Sequence, residues 1–174
     1  MTRQPQIAVV GSSDDRTEPA VSNARELGEL LTREGWIVLS GGRDAGVMRA
    51  VNEGAKRVEG SVTVGILPGA DVAVAPGVDV VLVTGMGNAR NNLITLSADV
   101  VVACGVDGPG TASEVALALK NNKPVVLLAP DDATLAFFRR LGNEKLVTAA
   151  TPTEAVERVR ALLAGQPVFP TGAR

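Results

Sequence analysis

VVVACGVDGPGTASE, residues 100–114, is the stretch of sequence that decides the fold. Its first four residues form an apolar run that predicts a buried strand, and residues 105–110 form a glycine-rich turn. Residues 111–121 then predict a helix. A strand, a turn and a helix in this order are half of a βαβ unit, from which parallel sheets covered by helices are built.

The same order of elements repeats on both sides of this stretch. Further strands are predicted at residues 7–10, 36–39, 62–67, 78–83 and 124–128, with a short edge strand at 145–147. Further helices are predicted at residues 18–34, 45–58, 88–97, 132–141 and 153–163. This alternation predicts an α/β fold: a single doubly wound Rossmann-like domain, residues 1–174, with a mostly parallel sheet of six or seven strands. Residues 165–174 show no pattern and are predicted to be a tail.

The composition agrees with one globular domain, since hydrophobic residues make up 45% of the 174 residues and charged residues 21%. The net charge of −2, without a basic block, argues against a nucleic-acid partner. Residues 1–6 are polar and precede no long apolar run, so neither a signal peptide nor a membrane span is predicted. The single cysteine, Cys104, favours the reducing cytoplasm, and we expect it to be a buried apolar residue.

The sequence contains no histidine and no tyrosine. Catalysis by a Ser-His-Asp or Cys-His arrangement and a histidine-ligated metal are therefore excluded. A single cysteine cannot form a thiolate metal cluster within one chain, and we predict no metal site. Any catalysis would rest on Asp, Glu, Lys, Arg, Ser, Thr, backbone amides or the ligand itself.

Glycines cluster where the predicted strands end. In open α/β sheets, ligands bind beyond the carboxyl ends of the strands, at the point where the strand order switches. Because glycine lets a backbone approach a ligand closely, we predict a ligand site along this edge. The backbone candidates for binding are Gly11, Ser12, Gly41, Gly42, Gly108 and Gly110.

A phosphate site is predicted at the start of the helix that follows Gly108. The free N–H groups of a helix start and the positive end of the helix dipole attract anions. We expect the N–H groups of Gly110, Thr111 and Ala112 to face the phosphate, together with the Thr111 hydroxyl. An ATPase is disfavoured because the Lys-Ser/Thr pair of a phosphate-binding loop is absent after Gly110. A dinucleotide site is disfavoured because residues 11–14 do not begin a GxGxxG motif.

Three charged side chains could complete this site. Arg90 and Arg43 could each hold a phosphate, although either could be a solvated surface residue. Glu114 could place a carboxylate in the site, or it could be only a helix cap, because Thr111-x-x-Glu114 is a capping box. The same pattern at residues 151–154 has no glycine-rich edge nearby, and we predict that it is only a cap.

These segments resemble the superfamily of the LONELY GUY phosphoribohydrolases and the molybdenum-cofactor carriers. The phosphoribohydrolases carry a Pro-Gly-Gly-x-Gly-Thr-x-x-Glu motif, whose second half matches residues 108–114. They also carry a Met-x-x-Arg-Lys motif, whose arginine matches Arg90, whereas Asn91 stands in place of the lysine. Val106-Asp107 stands in place of the first Pro-Gly, and Asp107 adds a negative charge beside the predicted phosphate loop.

The carrier branch shares three motifs with the chain: GGRDAGVM at residues 41–48, GILPG at 65–69 and GTASE at 110–114. Resemblance to it implies binding of a phosphate-bearing pterin without turnover. Resemblance to the enzymes implies cleavage of a nucleoside 5′-monophosphate into free base and ribose 5-phosphate, with Arg90 and Glu114 as catalytic residues. The resemblance implies a small phosphorylated ligand (a nucleotide, phosphate or sulfate, or the molybdenum cofactor) and no tightly required cofactor. It also implies a homodimer or higher homo-oligomer in which the helices at 88–97 and 111–121 pack near the interface.

Overall fold

The computed structural model describes residues 3–141 and 144–165. The strands within these residues are β1 (Gln6–Gly11), β2 (Ile37–Ser40), β3 (Thr63–Leu67), β4 (Val80–Val83), β5 (Val100–Cys104), β6 (Val125–Leu128) and β7 (Leu146–Ala149). The α-helices are α1 (Ala20–Arg33), α2 (Gly46–Ala55), α3 (Arg90–Ser97), α4 (Pro109–Lys120), α5 (Asp132–Leu141) and α6 (Pro152–Leu163), and a short 3-10 turn, Gly87–Ala89, leads into α3. Every predicted strand and helix is present, with boundaries shifted by a few residues. The predicted tail lies outside the described residues from position 166 onward.

All of these strands run parallel in one sheet with the order β4-β3-β2-β1-β5-β6-β7. From β1 the chain builds outward to β4 and then returns to the centre, where β5 lies on the other side of β1. The strand order therefore switches between β1 and β5. This arrangement confirms the predicted doubly wound α/β fold, with a sheet of seven strands in the described residues that is wholly parallel.

The helices cover the sheet in two layers. α1, α2 and α6 pack on one face, in a core that includes Leu27 and Val51. α3, α4 and α5 pack on the other face, in a core that includes Ile94 and Val115. The side chains of β1 alternate between the two cores, and residues 7–10 are at most 2% exposed. A strand that is buried on both faces needs a continuous apolar run, which explains the valine-rich strands of this sequence.

α1 and α2 touch each other backbone to backbone at two glycines. A side chain at Gly28 would overlap the carbonyl oxygen of Val51, and a side chain at Gly54 would overlap that of Arg25. Because neither position can accept a Cβ atom, the backbones alone determine the spacing of these two helices. α1 and α2 follow β1 and β2, so their contact also holds the turns at the carboxyl ends of those strands.

β4 differs from the other strands because its side chains are exposed. It lies at the edge of the sheet, and its four residues, Val80–Val83, are 41–54% exposed. Met86 in the following turn is also exposed, as are Leu93 and Leu96 of α3, which packs against the neighbouring strand β3. We call these seven residues the β4–α3 surface.

Within the described residues, no helix is both long enough and apolar enough to cross a membrane.

Candidate functional site at the switch in strand order

A cleft of about 220 Å³ opens at the carboxyl ends of β1 and β5, where the strand order switches. The turns after β1 and β2 form one wall, and the starts of α3 and α4 form the other. The cleft therefore lies between the two helix layers. Of the residues predicted to bind a ligand, those that line it are Gly11, Ser12, Arg43, Arg90, Gly108, Gly110, Thr111 and Glu114.

The helix that carries Gly110, Thr111 and Glu114 begins earlier than predicted. α4 starts at Pro109, with Gly108 as its N-cap residue. Proline suits the first helical position because its φ is already helical and it lacks an N–H that would remain unpaired there. Thr111 is consequently the third residue of the helix and not its cap. The alternative in which Thr111 and Glu114 form only a capping box is therefore excluded, and capping does not explain the glutamate.

The start of α4 presents two backbone donors. Gly110 and Thr111 are its second and third residues, whose N–H groups have no partner within a helix. The N–H of Ala112 donates to the Gly108 carbonyl oxygen at 3.1 Å, so the prediction that it faces a phosphate is wrong. Since the positive end of the helix dipole lies at the same place, this end of the cleft favours an anion.

Arg90 is the first residue of α3 and extends into the cleft wall. Only 7% of the residue is exposed, and its Nε and Nη1 atoms are buried without a hydrogen-bond partner in the described residues. Burial lowers the pKa of Arg90; Glu114 acts against this shift, and Arg43 adds to it. Buried polar groups almost always have partners, so an arginine that lacks them beside a cleft calls for an acceptor from outside the chain.

Gly41 makes room for this guanidinium. A Cβ atom at Gly41 would overlap the Nη1 atom of Arg90 and lie 2.6 Å from the Met48 sulfur. Gly41 and Gly42, both predicted to bind the ligand, do not line the cleft; Gly42 packs instead against Gly65 of β3. The glycine pair after β2 thus shapes the wall, and Gly41 leaves the space that the Arg90 guanidinium fills.

Glu114 faces the cleft from one turn into α4. It is 7% exposed, and no described residue donates a hydrogen bond to its carboxylate or pairs with it directly. Burial raises the pKa of Glu114 to about 7, and the positive charge of Arg90 offsets part of this shift. A carboxyl group with such a pKa can exist in either protonation state near neutrality, which suits acid–base chemistry or a change of charge in the site.

Five lining residues were not among the predicted ligand contacts: Ser13, Met48, Asn88, Asn91 and Pro109. Asn91 is nearly buried, and its Nδ2 atom donates to the Ser113 Oγ at 3.1 Å, which ties α3 to α4. No sequence signal marked Asn91, because its place in the cleft depends on the contact between α3 and α4 in the folded chain.

Asp107 does not face this cleft. It lines a second cavity, of about 170 Å³, together with Glu18 and Asp131. The negative charge that the sequence places beside the phosphate loop therefore points elsewhere, and the carboxylates of the second cavity disfavour an anion there. Cys104, as predicted, is a buried apolar residue: it is 0% exposed, and burial raises the pKa of its thiol to about 12.

The cleft thus combines two guanidinium groups, two free backbone N–H groups and one carboxyl group that can lose its charge. This set of donors suits a phosphate or another oxyanion. At about 220 Å³ the cleft is smaller than the ~300–1,000 Å³ of sites that enclose a drug-sized ligand. It can therefore enclose the anionic end of such a ligand and leave the remainder at the surface.

Comparisons with known proteins agree with this description. The model of the SLOG cluster4 family matches residues 4–156. The structure of the molybdenum cofactor binding protein from the phototrophic bacterium Rippkaea orientalis is 45% identical, with a TM-score of 0.88, and the match covers 94% of this chain and 99% of that one. The Moco carrier protein from Chlamydomonas reinhardtii is also 45% identical over the same shares of the two chains, with a TM-score of 0.87. An uncharacterized protein of Archaeoglobus fulgidus is 38% identical over 125 residues, which are 72% of this chain and 80% of that protein.

Proposed function

Because the chain belongs to the SLOG cluster4 family, we propose that it is a carrier that binds the molybdenum cofactor through its phosphate group and releases it unchanged. The observation that carries this proposal is the buried guanidinium of Arg90, which has two nitrogen atoms without a partner at the edge of a cleft. A phosphate would accept hydrogen bonds from this group and from the N–H groups of Gly110 and Thr111. The 45% identity to proteins described as cofactor carriers favours this ligand over other phosphates.

Loading with the cofactor tests the proposal. The purified chain is mixed anaerobically with molybdenum cofactor released from a molybdenum enzyme and is then separated from free cofactor on a desalting column. We expect molybdenum, measured by mass spectrometry, and pterin, measured by fluorescence after oxidation, to elute with the protein in equal amounts. Arg90→Met should lose both, whereas Arg139→Met, at an exposed arginine outside the cleft, should retain both. A wild-type chain that retains neither would refute the carrier function.

A second candidate function is hydrolysis of a nucleoside 5′-monophosphate, and the environment of Glu114 favours it. A carboxyl group with a pKa of about 7 can donate or accept a proton near neutrality. Arg90 would hold the phosphate, and Glu114 would stabilise the positive charge that develops on the ribose when the base leaves. The test is incubation with AMP followed by chromatography for adenine and ribose 5-phosphate. Turnover in the wild type that Glu114→Gln abolishes would support the hydrolase function. If no product formed, the carrier function would remain as the proposal.

We also propose that a second copy of the chain covers the β4–α3 surface. An exposed edge strand with apolar side chains is unusual in a monomer, because it can pair with another chain. On α4, Val115 and Leu119 are buried against the sheet, whereas Leu117 is half-buried and Ala116 is exposed. We therefore place α3 and β4, which carry the larger exposed apolar side chains, at the subunit interface. Light scattering should give twice the monomer mass.

A further inference from the structure

We propose that an anion enters the cleft together with one proton, which Glu114 holds and donates into a hydrogen bond with that anion. The inference rests on the proposed function, because it concerns the same site, and it makes ligand binding dependent on pH. It follows from the position of one carboxyl group among the cations of the cleft.

The geometry brings Glu114 to the place where an anion would bind. Glu114 follows Thr111 by three residues on α4, so both side chains lie on the same face of the helix. Both line the cleft, and both are buried. An oxyanion that accepts hydrogen bonds from the N–H groups of Gly110 and Thr111 would therefore lie beside the Glu114 carboxyl group.

The charges that face Glu114 can be assigned element by element. Arg90 of α3 is the charge that acts on Glu114 directly. Arg43, in the turn after β2, lines the same cleft and acts on Arg90, and the turn after β1 adds only the uncharged residues Gly11, Ser12 and Ser13. The acidic residues of these turns are engaged elsewhere: Asp14 pairs with Arg16, and Asp15 and Asp44 pair with Arg49.

Two guanidinium groups match the two negative charges of a phosphate monoester or a sulfate. An ionised Glu114 would cancel one of the positive charges and would lie against the anion. A protonated Glu114 removes this repulsion and adds a donor. The site therefore matches a dianion only when Glu114 is protonated.

The direction of the pH dependence follows from the burial of this group. Burial raises the pKa of Glu114 to about 7 in the free protein, and a bound dianion raises it further. Below this value Glu114 is already protonated, so affinity does not depend on its titration. Above it, each binding event must take up a proton, and affinity falls by up to about tenfold for each increase of one in pH.

Sulfate is the probe that isolates Glu114, because sulfate keeps both negative charges across the range, whereas a phosphate monoester titrates near pH 6 itself. Sulfate affinity is measured by calorimetry between about pH 6 and pH 9, in pairs of buffers with different ionisation enthalpies. The chains compared are the wild type, Glu114→Gln and, as a matched control, Glu26→Gln, which removes an exposed carboxylate of α1.

We expect the wild type and Glu26→Gln to lose about fivefold in affinity between pH 7 and pH 8, and to take up close to one proton per sulfate at about pH 8. Glu114→Gln should bind with an affinity that hardly changes with pH and should take up no proton. At about pH 8 it should bind sulfate roughly tenfold more tightly than the wild type.

Proton uptake that persists in Glu114→Gln, or wild-type affinity that does not change with pH, would overturn the proposal. So would the absence of sulfate binding in both proteins at about pH 6, where the cleft carries its largest positive charge. If one of these results were found but the wild type still loaded the molybdenum cofactor, the carrier function would stand without the proton coupling. If sulfate binding took up a proton but the cofactor did not load, the coupling would stand and the carrier function would fail.

Discussion

Glu114 predicts a measurable dependence of stability on pH in the free protein. The pKa of this carboxyl group is about 7 in the folded chain, compared with an ordinary value of 4.5. Since a change of one in pKa corresponds to about 1.4 kcal/mol, ionised Glu114 lowers the free energy of unfolding by about 3 kcal/mol. This is a large share of the ~5–15 kcal/mol by which domains are stable.

The sign follows from which state binds the proton more tightly. The folded state does so, and the contribution of Glu114 to stability is therefore complete below the unfolded pKa of 4.5. It is lost progressively as the pH rises through the folded pKa of about 7, and above that value the loss is constant. Glu114→Gln has no carboxyl group to ionise and should escape this loss.

The assay is urea denaturation of the wild type and Glu114→Gln from about pH 4 to pH 9, followed by the fluorescence of Trp36, the only tryptophan, which is 9% exposed in the fold. The free energy of unfolding of the glutamine variant, relative to the wild type, should rise by about 3 kcal/mol across this range. Asp79, Asp99 and Glu154, whose pKa values are lowered by hydrogen bonds and cations, lose stability in acid equally in both proteins. Two curves that stay parallel at every pH would refute the reasoning about Glu114.

Three other substitutions test the cleft and the exposed surface. Arg90→Met removes a cation whose buried Nε and Nη1 atoms lack partners. We expect the sulfate affinity to fall at least about tenfold, while the midpoint of urea denaturation stays the same or rises. A large loss of stability would contradict this account. Gly41→Ala places a methyl group against the Arg90 guanidinium, so we expect a loss of about 1–3 kcal/mol in stability and weaker sulfate binding. In the control Gly35→Ala, at φ +75° with open space around it, stability should fall by about 1 kcal/mol and binding should not change. Leu82→Lys puts a charge on the β4–α3 surface and should convert the proposed dimer into a monomer in light scattering, whereas an unchanged mass would exclude that surface as the interface.

The sheet could be predicted because its signals are local. Apolar runs of four to six residues, most of them followed within two residues by glycine, mark parallel strands, and the structure has a strand at each of them. The helix cap predicted at residues 151–154 is likewise a local pattern and is confirmed: the Thr151 side chain accepts a hydrogen bond from the Glu154 N–H at 3.2 Å, while the Glu154 carboxylate accepts from the Ala150 N–H at 2.8 Å. The start of α4 was missed although Pro109 carries the same signal as Pro152, a proline at the first helical position.

The burial of Arg90 could not be predicted from its neighbours in the sequence. An arginine at the start of a helix is usually solvated, and nothing at positions 86–94 indicates otherwise. Its burial depends on the missing side chain of Gly41, which lies on a different strand turn and contacts Arg90 only in the folded chain. The pKa of Glu114 has the same origin, because it depends on the packing around α4 and on a cation carried by α3.

The contact between α1 and α2 has a mechanical consequence for the cleft. The Val47 N–H donates to the Ser12 carbonyl oxygen at 2.9 Å, so the turn after β1 is joined to the start of α2. Further along, α1 and α2 are in contact at Gly28 and Gly54. On the opposite side, the bond from Asn91 joins α3 to α4. Each wall of the cleft is thus internally connected, and the two walls meet at the boundary between β1 and β5. We therefore expect the cleft to widen for a bulkier ligand by a rotation of one wall relative to the other. A substitution in the α1–α2 contact, at Gly28 or Gly54, can then change ligand affinity although neither residue lines the cleft.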